Sequence, residues 1–264
     1  MVSGLCSKRA MAKTAIMQPT YIPWMGYFNL IDQVDKFVFL DDVQLVKRSW
    51  QTRNRIKTAQ GELFLTIPIK KVDKRDDTLI CNAVISEDES WKEKHIRSLE
   101  LAYKKAPYFD LMFSFIKEII FNEEKKLSDY NIYIIKQIAQ KLGLKTEFIR
   151  SSELKGIVGK KDARLVSVCK HIGCDDYISP QGSAVYIEKE CPGGEFAKNN
   201  LKFFYHNYEH PVYEQINGNF IGFMSIIDLF FNHGFDASLD IIKKGRRPGV
   251  DSATFRKEHL NLVS

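Results

Sequence analysis

The chain has 264 residues, 44% hydrophobic and 27% charged, and carries a net charge of +6. That length suits one large domain, or one domain with a helical appendage, and the composition is that of a globular protein. No apolar run approaches the roughly 18 residues of a membrane helix, and the start lacks the long apolar core of a secretory signal. The five cysteines, Cys6, Cys81, Cys169, Cys174 and Cys191, match no disulfide or zinc spacing. A cytoplasmic protein with free thiols, no membrane insertion and no dedicated metal site is therefore expected. The cluster Lys243-Lys244-Gly245-Arg246-Arg247 reads as a solvated loop rather than a nucleic-acid surface, and the mild positive balance suits an anionic small molecule.

Residues 1–12 are expected to form a flexible extension, 13–242 a single α/β domain with a helical part at about 90–143, and 243–264 a C-terminal segment. Lys13 to Met17 reads as a buried strand, Gln18 to Pro23 as a stiff turn, Trp24 to Val34 as a helix, and Phe37 to Leu40 as a second strand that ends on Asp41-Asp42. The right-handed crossover of such a βαβ unit puts both strand ends on one sheet edge, where ligands bind in open α/β sheets. Glu62 to Ile69 is a strand ending in the charged turn Lys70 to Asp77, and Asp77 to Ile85 is expected to pair with it. Helices follow from Trp91 to Lys105, from Tyr108 to Asn122 and from Leu127 to Leu142, with Pro107 and Gly143 as stops. Lys145 to Ser151 returns as a strand, Lys161 to Gly173 as a helix and Asp176 to Ser179 as a strand, so a second β-helix-β unit is predicted. Lys202 to Tyr208 is a further strand, and Ser225 to Asn232 a buried helix closed by His233-Gly234. This alternation predicts an α/β, Rossmann-like fold of the nucleotidyltransferase or HUP kind, mainly parallel, with a helical insertion.

The candidate chemistry gathers after the first two strands. Asp41 and Asp42 could serve as general base, phosphate-metal ligand or amine orienter, and equally as turn formers. Lys47, Arg48, Arg53 and Arg55, interleaved with Trp50 and Asn54, suit phosphate or carboxylate binding with a ring stacked on tryptophan; a solvated basic strand is the alternative. Gln18 and Tyr21 sit in a turn stiffened by two prolines, from which they could hydrogen-bond a ligand or merely satisfy the backbone. Trp24-Met25-Gly26-Tyr27 falls where nucleotidyltransferase-like folds carry HxGH, with Trp24 and Tyr27 in place of the histidines, which argues against ordinary adenylyl transfer. His95 on its helix is a further catalytic candidate, with packing as the alternative. Ser179, Gln181 and Tyr186 form the next strand-end loop and could face the first across a shared cleft.

The segments QPTYIPWMGYFNLI, KFVFLDDVQ, KRSWQTRNRIK, WKEKHIRSLELAYKKAPYF, RLVSVCKHIGCDDYISPQGSAVYI and YEQINGNFIGFMSIIDLFFNHG resemble the WbqC family from residue 13 to about 235. The resemblance implies a role in bacterial O-antigen or capsule synthesis: transfer of glycine or another small acyl group to an amino sugar. It implies nucleotide-linked amino sugar and acyl or aminoacyl donor as partners, and it singles out Gln18, Trp24, Asp41, Arg53 and Asn54. ATP with Mg²⁺ would enter only if the protein activates a carboxylate on a nucleotidyltransferase-like scaffold. A non-catalytic module that binds nucleotide sugars is the third possibility.

Overall fold

The computed structural model describes residues 12–70, 78–87 and 90–259. Within them the chain runs through β1 (Lys13–Met17), α1 (Met25–Ile31), β2 (Lys36–Phe39) and a hairpin of β3 (Arg53–Thr58) and β4 (Gly61–Thr66). Three helices follow, α2 (Ser90–Tyr103), α3 (Phe109–Ile120) and α4 (Leu127–Lys141), then β5 (Glu147–Arg150), α5 (Lys161–Ile172) and β6 (Asp176–Ser179). The short α6 (Ala184–Ile187) and α7 (Gly194–Lys198) precede β7 (Lys202–Tyr205), α8 (Ile226–Lys244) and α9 (Ser252–His259). The expected flexible extension lies, but for Ala12, outside the described residues, as does most of the charged turn ending at Asp77.

Five strands form one parallel sheet in the order β5-β2-β1-β6-β7. Counted along those strands alone the order is 3-2-1-4-5, a Rossmann-like arrangement. Both faces are covered. Ala15, Phe37 and Phe39 pack against α1–α4 and α8, while Ile16, Val38 and Tyr177 pack against α5–α7 and α9. Burial on both sides is why these strands read as unbroken apolar runs rather than alternating ones. No helix among the described residues is long and apolar enough to cross a membrane.

Arg53–Thr58 is a strand, the form offered as the alternative reading of this basic segment, and pairs antiparallel with β4 from Arg53↔Thr66 to Thr58↔Gly61. Only Asn54, Ile56 and Lys57 of it are buried. Two other elements depart from the sequence-based expectation. Of the expected partner Asp77 to Ile85, the described residues 78–85 do not pair along β4. They hold a single turn of 3₁₀ helix at Ile80–Asn82 and three isolated bridges, Gln44↔Leu79, Ile69↔Ile85 and Val84↔Lys126, because their amides are drawn elsewhere: Ile80 N–H donates to Val43 O at 2.9 Å and Cys81 N–H to Asp41 O at 2.8 Å. The helix after Ser225 breaks at Gly234 (φ 71°) and then resumes to Lys244. A Cβ at Gly234 would lie 2.8 Å from the Tyr108 ring, so glycine serves both the break and the close approach.

Asp41 locks the carboxyl edge of the sheet. Fully buried at the end of β2, it accepts from Arg150 Nε at 3.0 Å and Nη2 at 2.7 Å, from Ser128 Oγ and Ser152 Oγ at 2.9 Å each, and from Ser152 N–H at 3.0 Å. Burial pushes its carboxyl upward, but Arg150, the Ser152 amide and Ser128 together hold it below the usual carboxylate range. The ends of β2 and β5 and the first turn of α4 are thereby tied together. Arg150→Ala leaves a buried carboxylate without its cation and should cost about 3 kcal/mol of unfolding free energy, read from urea denaturation at neutral pH. The loss should shrink as the pH falls through the carboxylate range, because without Arg150 the buried Asp41 of the folded variant takes up a proton before the wild type does and its uncompensated charge is removed.

Candidate functional site

The sheet's strand order reverses between β1 and β6, and in open α/β sheets the crevice beyond such carboxyl ends is the usual place for a ligand. The turn leaving β1 is held in an unusual shape there. Ile22 adopts φ 39°, a left-handed conformation that β-branched residues rarely take. Its carbonyl accepts from Asn54 Nδ2 and from Ser225 Oγ, both at 2.8 Å. Asn54 Nδ2 also donates to Tyr21 O at 3.0 Å, and its Oδ1 accepts from Arg55 N–H at 2.8 Å. Tyr21 N–H donates to Trp50 O and Ile226 N–H to Pro23 O, each at 2.9 Å. Three distant segments, 18–24, 50–55 and 223–226, are thus clamped into one corner.

The third segment is placed by a buried acid on α8. Asp228 accepts from Tyr103 Oη and Tyr213 Oη at 2.8 Å each and from Gln215 Nε2 at 2.7 Å. Burial pushes its carboxyl up, with those donors opposing. Gln215 in turn holds both backbone groups of Ile221, at 2.9 and 3.0 Å. The chain then reaches Phe223, which has φ 60°. Left-handed conformations at Ile22 and Phe223 on opposite sides of one corner mark it as a functional candidate.

Between these segments lies a pocket of ≈ 310 Å³ walled by Trp24, Tyr27, Trp50 and Phe223, with Thr20, Asn54 and Arg55 among its polar members. Trp24 stacks on His210 at 5.8 Å and meets Phe223 at 5.2 Å. Its indole folds back over the start of α1, where a Cβ on residue 26 would come within 2.2 Å of it, so Gly26 is required. Arg55 forms a forked ion pair with Glu62 at 2.9 and 3.0 Å and also donates to Phe223 O at 3.2 Å. That ion pair is partly exposed and contributes little, so a ligand anion can compete for the guanidinium. His210 Nε2 accepts from Phe223 N–H at 3.0 Å while its Nδ1 lies 2.8 Å from Pro211 O. These partners fix the neutral Nδ1–H tautomer, and burial lowers the imidazole pKa in the same sense. His210 backs Trp24, with both ring nitrogens occupied.

The sequence candidates divide into groups. Trp24, Trp50 and Asn54 meet in the pocket. Gln18 stands beside it, its Oε1 accepting from Gln51 Nε2 and its carbonyl from Tyr27 Oη at 3.1 Å. Tyr21 and His95 lie behind the turn, buried and 2.9 Å apart through Tyr21 Oη and His95 Nδ1. Asp41 has its oxygens filled as described, and Asp42 accepts from Ser151 Oγ at 2.6 Å and pairs with Arg164. Arg53 stands over the Phe64 ring at 4.6 Å on the hairpin, and Lys47 and Arg48 are exposed at a different cavity. Ser179 bonds Ser183, Gln181 is exposed, and Tyr186 packs with the α5–α7 core, where burial pushes its phenol to about 12. The aromatic pocket has none of these last three in its lining. Sequence reasoning passed over Phe223 and Asp228. Both lie some 200 residues from the opening turn, and nothing local marks them.

A parallel 3-2-1-4-5 sheet covered on both faces, with an aromatic pocket beyond the carboxyl end of β1, defines a Rossmann-like α/β protein. The model of the WbqC-like protein family matches residues 18–239, from the opening turn into α8, and the chain belongs to that family. It is similar to the uncharacterized protein Rv1507c of Mycobacterium tuberculosis, with 34% identity over 229 residues, covering 86% of this chain and 96% of the relative. No solved structure matches the chain.

Two histidines behind the site are buried as neutral rings: His95, bonded to Tyr21, and His206, whose Nε2 lies 2.9 Å from Asn29 Oδ1. Burial lowers each pKa to about 4. Between about pH 6.5 and about 4 the unfolded chain binds protons that the native rings refuse. Stability should therefore fall as pH falls through that window, by up to roughly 1.4 kcal/mol per pH unit for each histidine. Urea unfolding at several pH values checks this, and His206→Gln should flatten the slope.

Proposed function

We propose that this protein is a transferase of bacterial surface-polysaccharide synthesis, of the O-antigen or capsule kind, acting in the cytoplasm. It would pass glycine or another small acyl group to an amino sugar carried on a nucleotide. The aromatic pocket at the carboxyl edge of β1 carries this reading. Flat walls from Trp24 and Trp50 suit a base or sugar ring, while Arg55 and Asn54 supply a cation and an amide for the attached polar groups. Family membership supports the same direction.

In this reading the sugar's amine attacks the donor carbonyl, an N–C bond forms, and the bond from the carbonyl to its leaving group breaks. The amine proton goes to a carboxylate. We assign that role to Asp42, whose side chain is 16% exposed, rather than to Asp41, which is fully enclosed. Gln18 would orient the amine, and Arg53 would draw the donor's anionic part toward the hairpin. Asp41, His95 and Tyr21 would act by holding the frame. Ser179, Gln181 and Tyr186, at the end of the neighbouring strand β6, would meet the far end of a long ligand.

Purified protein given a panel of nucleotide-linked 3-amino and 4-amino sugars with glycyl or acyl donors should form an amide, detected by mass spectrometry. Trp24→Ala should raise KM for the sugar nucleotide up to about tenfold, the value of one lost ring stack. Asp42→Asn should lower kcat with little change in KM. Turnover that both variants leave untouched would remove these assignments, and ATP-dependent pyrophosphate exchange would favour a carboxylate-activating enzyme instead.

A further inference from the structure

On the other side of the hairpin base lies a cavity of ≈ 550 Å³, bounded by the segment after β2, the end of β4 and residues 78–84. Its size is that of a small-ligand site. Leu45, Ile67, Ile69 and Ala83 provide an apolar floor. Val46, 61% exposed, and Val84, 37% exposed, continue that surface to the mouth. Apolar side chains of this kind are left in water on one contiguous surface only where something covers them.

The rim has the opposite character. Lys47, Arg48 and Lys70 line it, and among the described residues the lining contains no Asp or Glu. Among the described residues Lys47 and Arg48 form no ion pair, and Lys70 reaches only the exposed Glu87 at 3.8 Å. Arg48 is held at φ 55°, a conformation that costs of order 1 kcal/mol in a non-glycine residue. The walls are set by main-chain bonds: Leu45 N–H to Thr78 O at 2.8 Å, Ile67 N–H to Thr52 O at 2.7 Å, and Lys70 N–H to Val84 O at 2.9 Å. The cavity is thus preformed rather than made on demand.

We propose that this cavity is a second ligand site, built for an anion with an aliphatic body. A compact inorganic anion would leave the apolar floor wet, and a neutral aliphatic molecule would leave three cations unused. A carboxylate or phosphate on a short acyl chain satisfies both halves. The segment from Lys47 to Arg55 walls this cavity on one side and the aromatic pocket on the other, through Lys47, Arg48 and Thr52 here and Trp50, Asn54 and Arg55 there. As the place of the acyl donor the site rests on the transferase reading. As a binding site it stands without it.

Isothermal titration of the full chain with octanoate and with octyl phosphate should show saturable one-to-one binding of at least one, and the two arms separate a carboxylate site from a phosphate site. Octanol and inorganic phosphate should each bind at least tenfold more weakly. The double variant Lys47→Glu/Arg48→Glu, both exposed positions, should weaken the anion at least tenfold. Val84→Trp should block the cavity mouth without lowering Tm. Trp24→Ala should leave this binding unchanged while it weakens sugar-nucleotide binding, so failure of one site is told from failure of the other. Octanol binding as tightly as octanoate, full affinity in the charge-reversed or Val84→Trp protein, or no saturable binding of either anion would each overturn the proposal.

Discussion

The carbonyl of Ile22 receives two hydrogen bonds, from Asn54 of the hairpin and from Ser225 at the start of α8, and the candidate site hangs on that meeting. A β-branched residue in the left-handed region is disfavoured by roughly 1–3 kcal/mol. Two buried hydrogen bonds, each worth about 1 kcal/mol net, offset much of it. The bonds also place Pro23 and Trp24 beyond the kink, so the indole meets the hairpin and the 208–223 loop instead of running on with the helix. Strain, clamp and aromatic wall are one arrangement.

The polar groups near the sheet's carboxyl edge fall into two kinds with different consequences. Asp41 and Asp228 are enclosed, with donors on every side, and they hold secondary-structure ends in place. Such saturated carboxylates strengthen a frame, because any new proton displaces an existing donor. Arg55, Lys47 and Arg48 sit at the water's edge. Their charges are cheap to keep and available to a ligand, since exposed ion pairs exchange readily. Burial decides which groups support the frame and which can meet a substrate. The kind of residue alone does not.

Much of the architecture is legible along the chain. The apolar runs at Lys13–Met17 and Lys36–Phe39, the two prolines of the turn and the glycine stops announce an α/β sheet, because strand burial and turn geometry depend on near neighbours. The hairpin strand Arg53–Thr58 was legible only as an alternative because its outward residues are arginines: a half-exposed strand with charged faces looks like a basic loop. The segment 78–85 misled for the reverse reason. Its composition suits a strand, yet its amides bond to the chain after Asp41.

By itself, then, the sequence determined the class of fold, and it singled out the sheet edge of the candidate site and several residues that line its pocket, notably Trp24, Trp50 and Asn54. The fold class follows from periodicity and turn chemistry within a few residues, the pocket residues from their type and their place just past the strands. Tertiary structure alone decided that Asp41 is enclosed while Asp42 keeps an exposed edge, and that His95 is locked to Tyr21. It alone brought Phe223 and His210 against Trp24, and it separated Lys47 and Arg48 from the aromatic pocket. These outcomes rest on contacts between segments 30 to 200 residues apart. Side-chain burial and hydrogen-bond supply there are set by how layers pack, and no local pattern of residues records that.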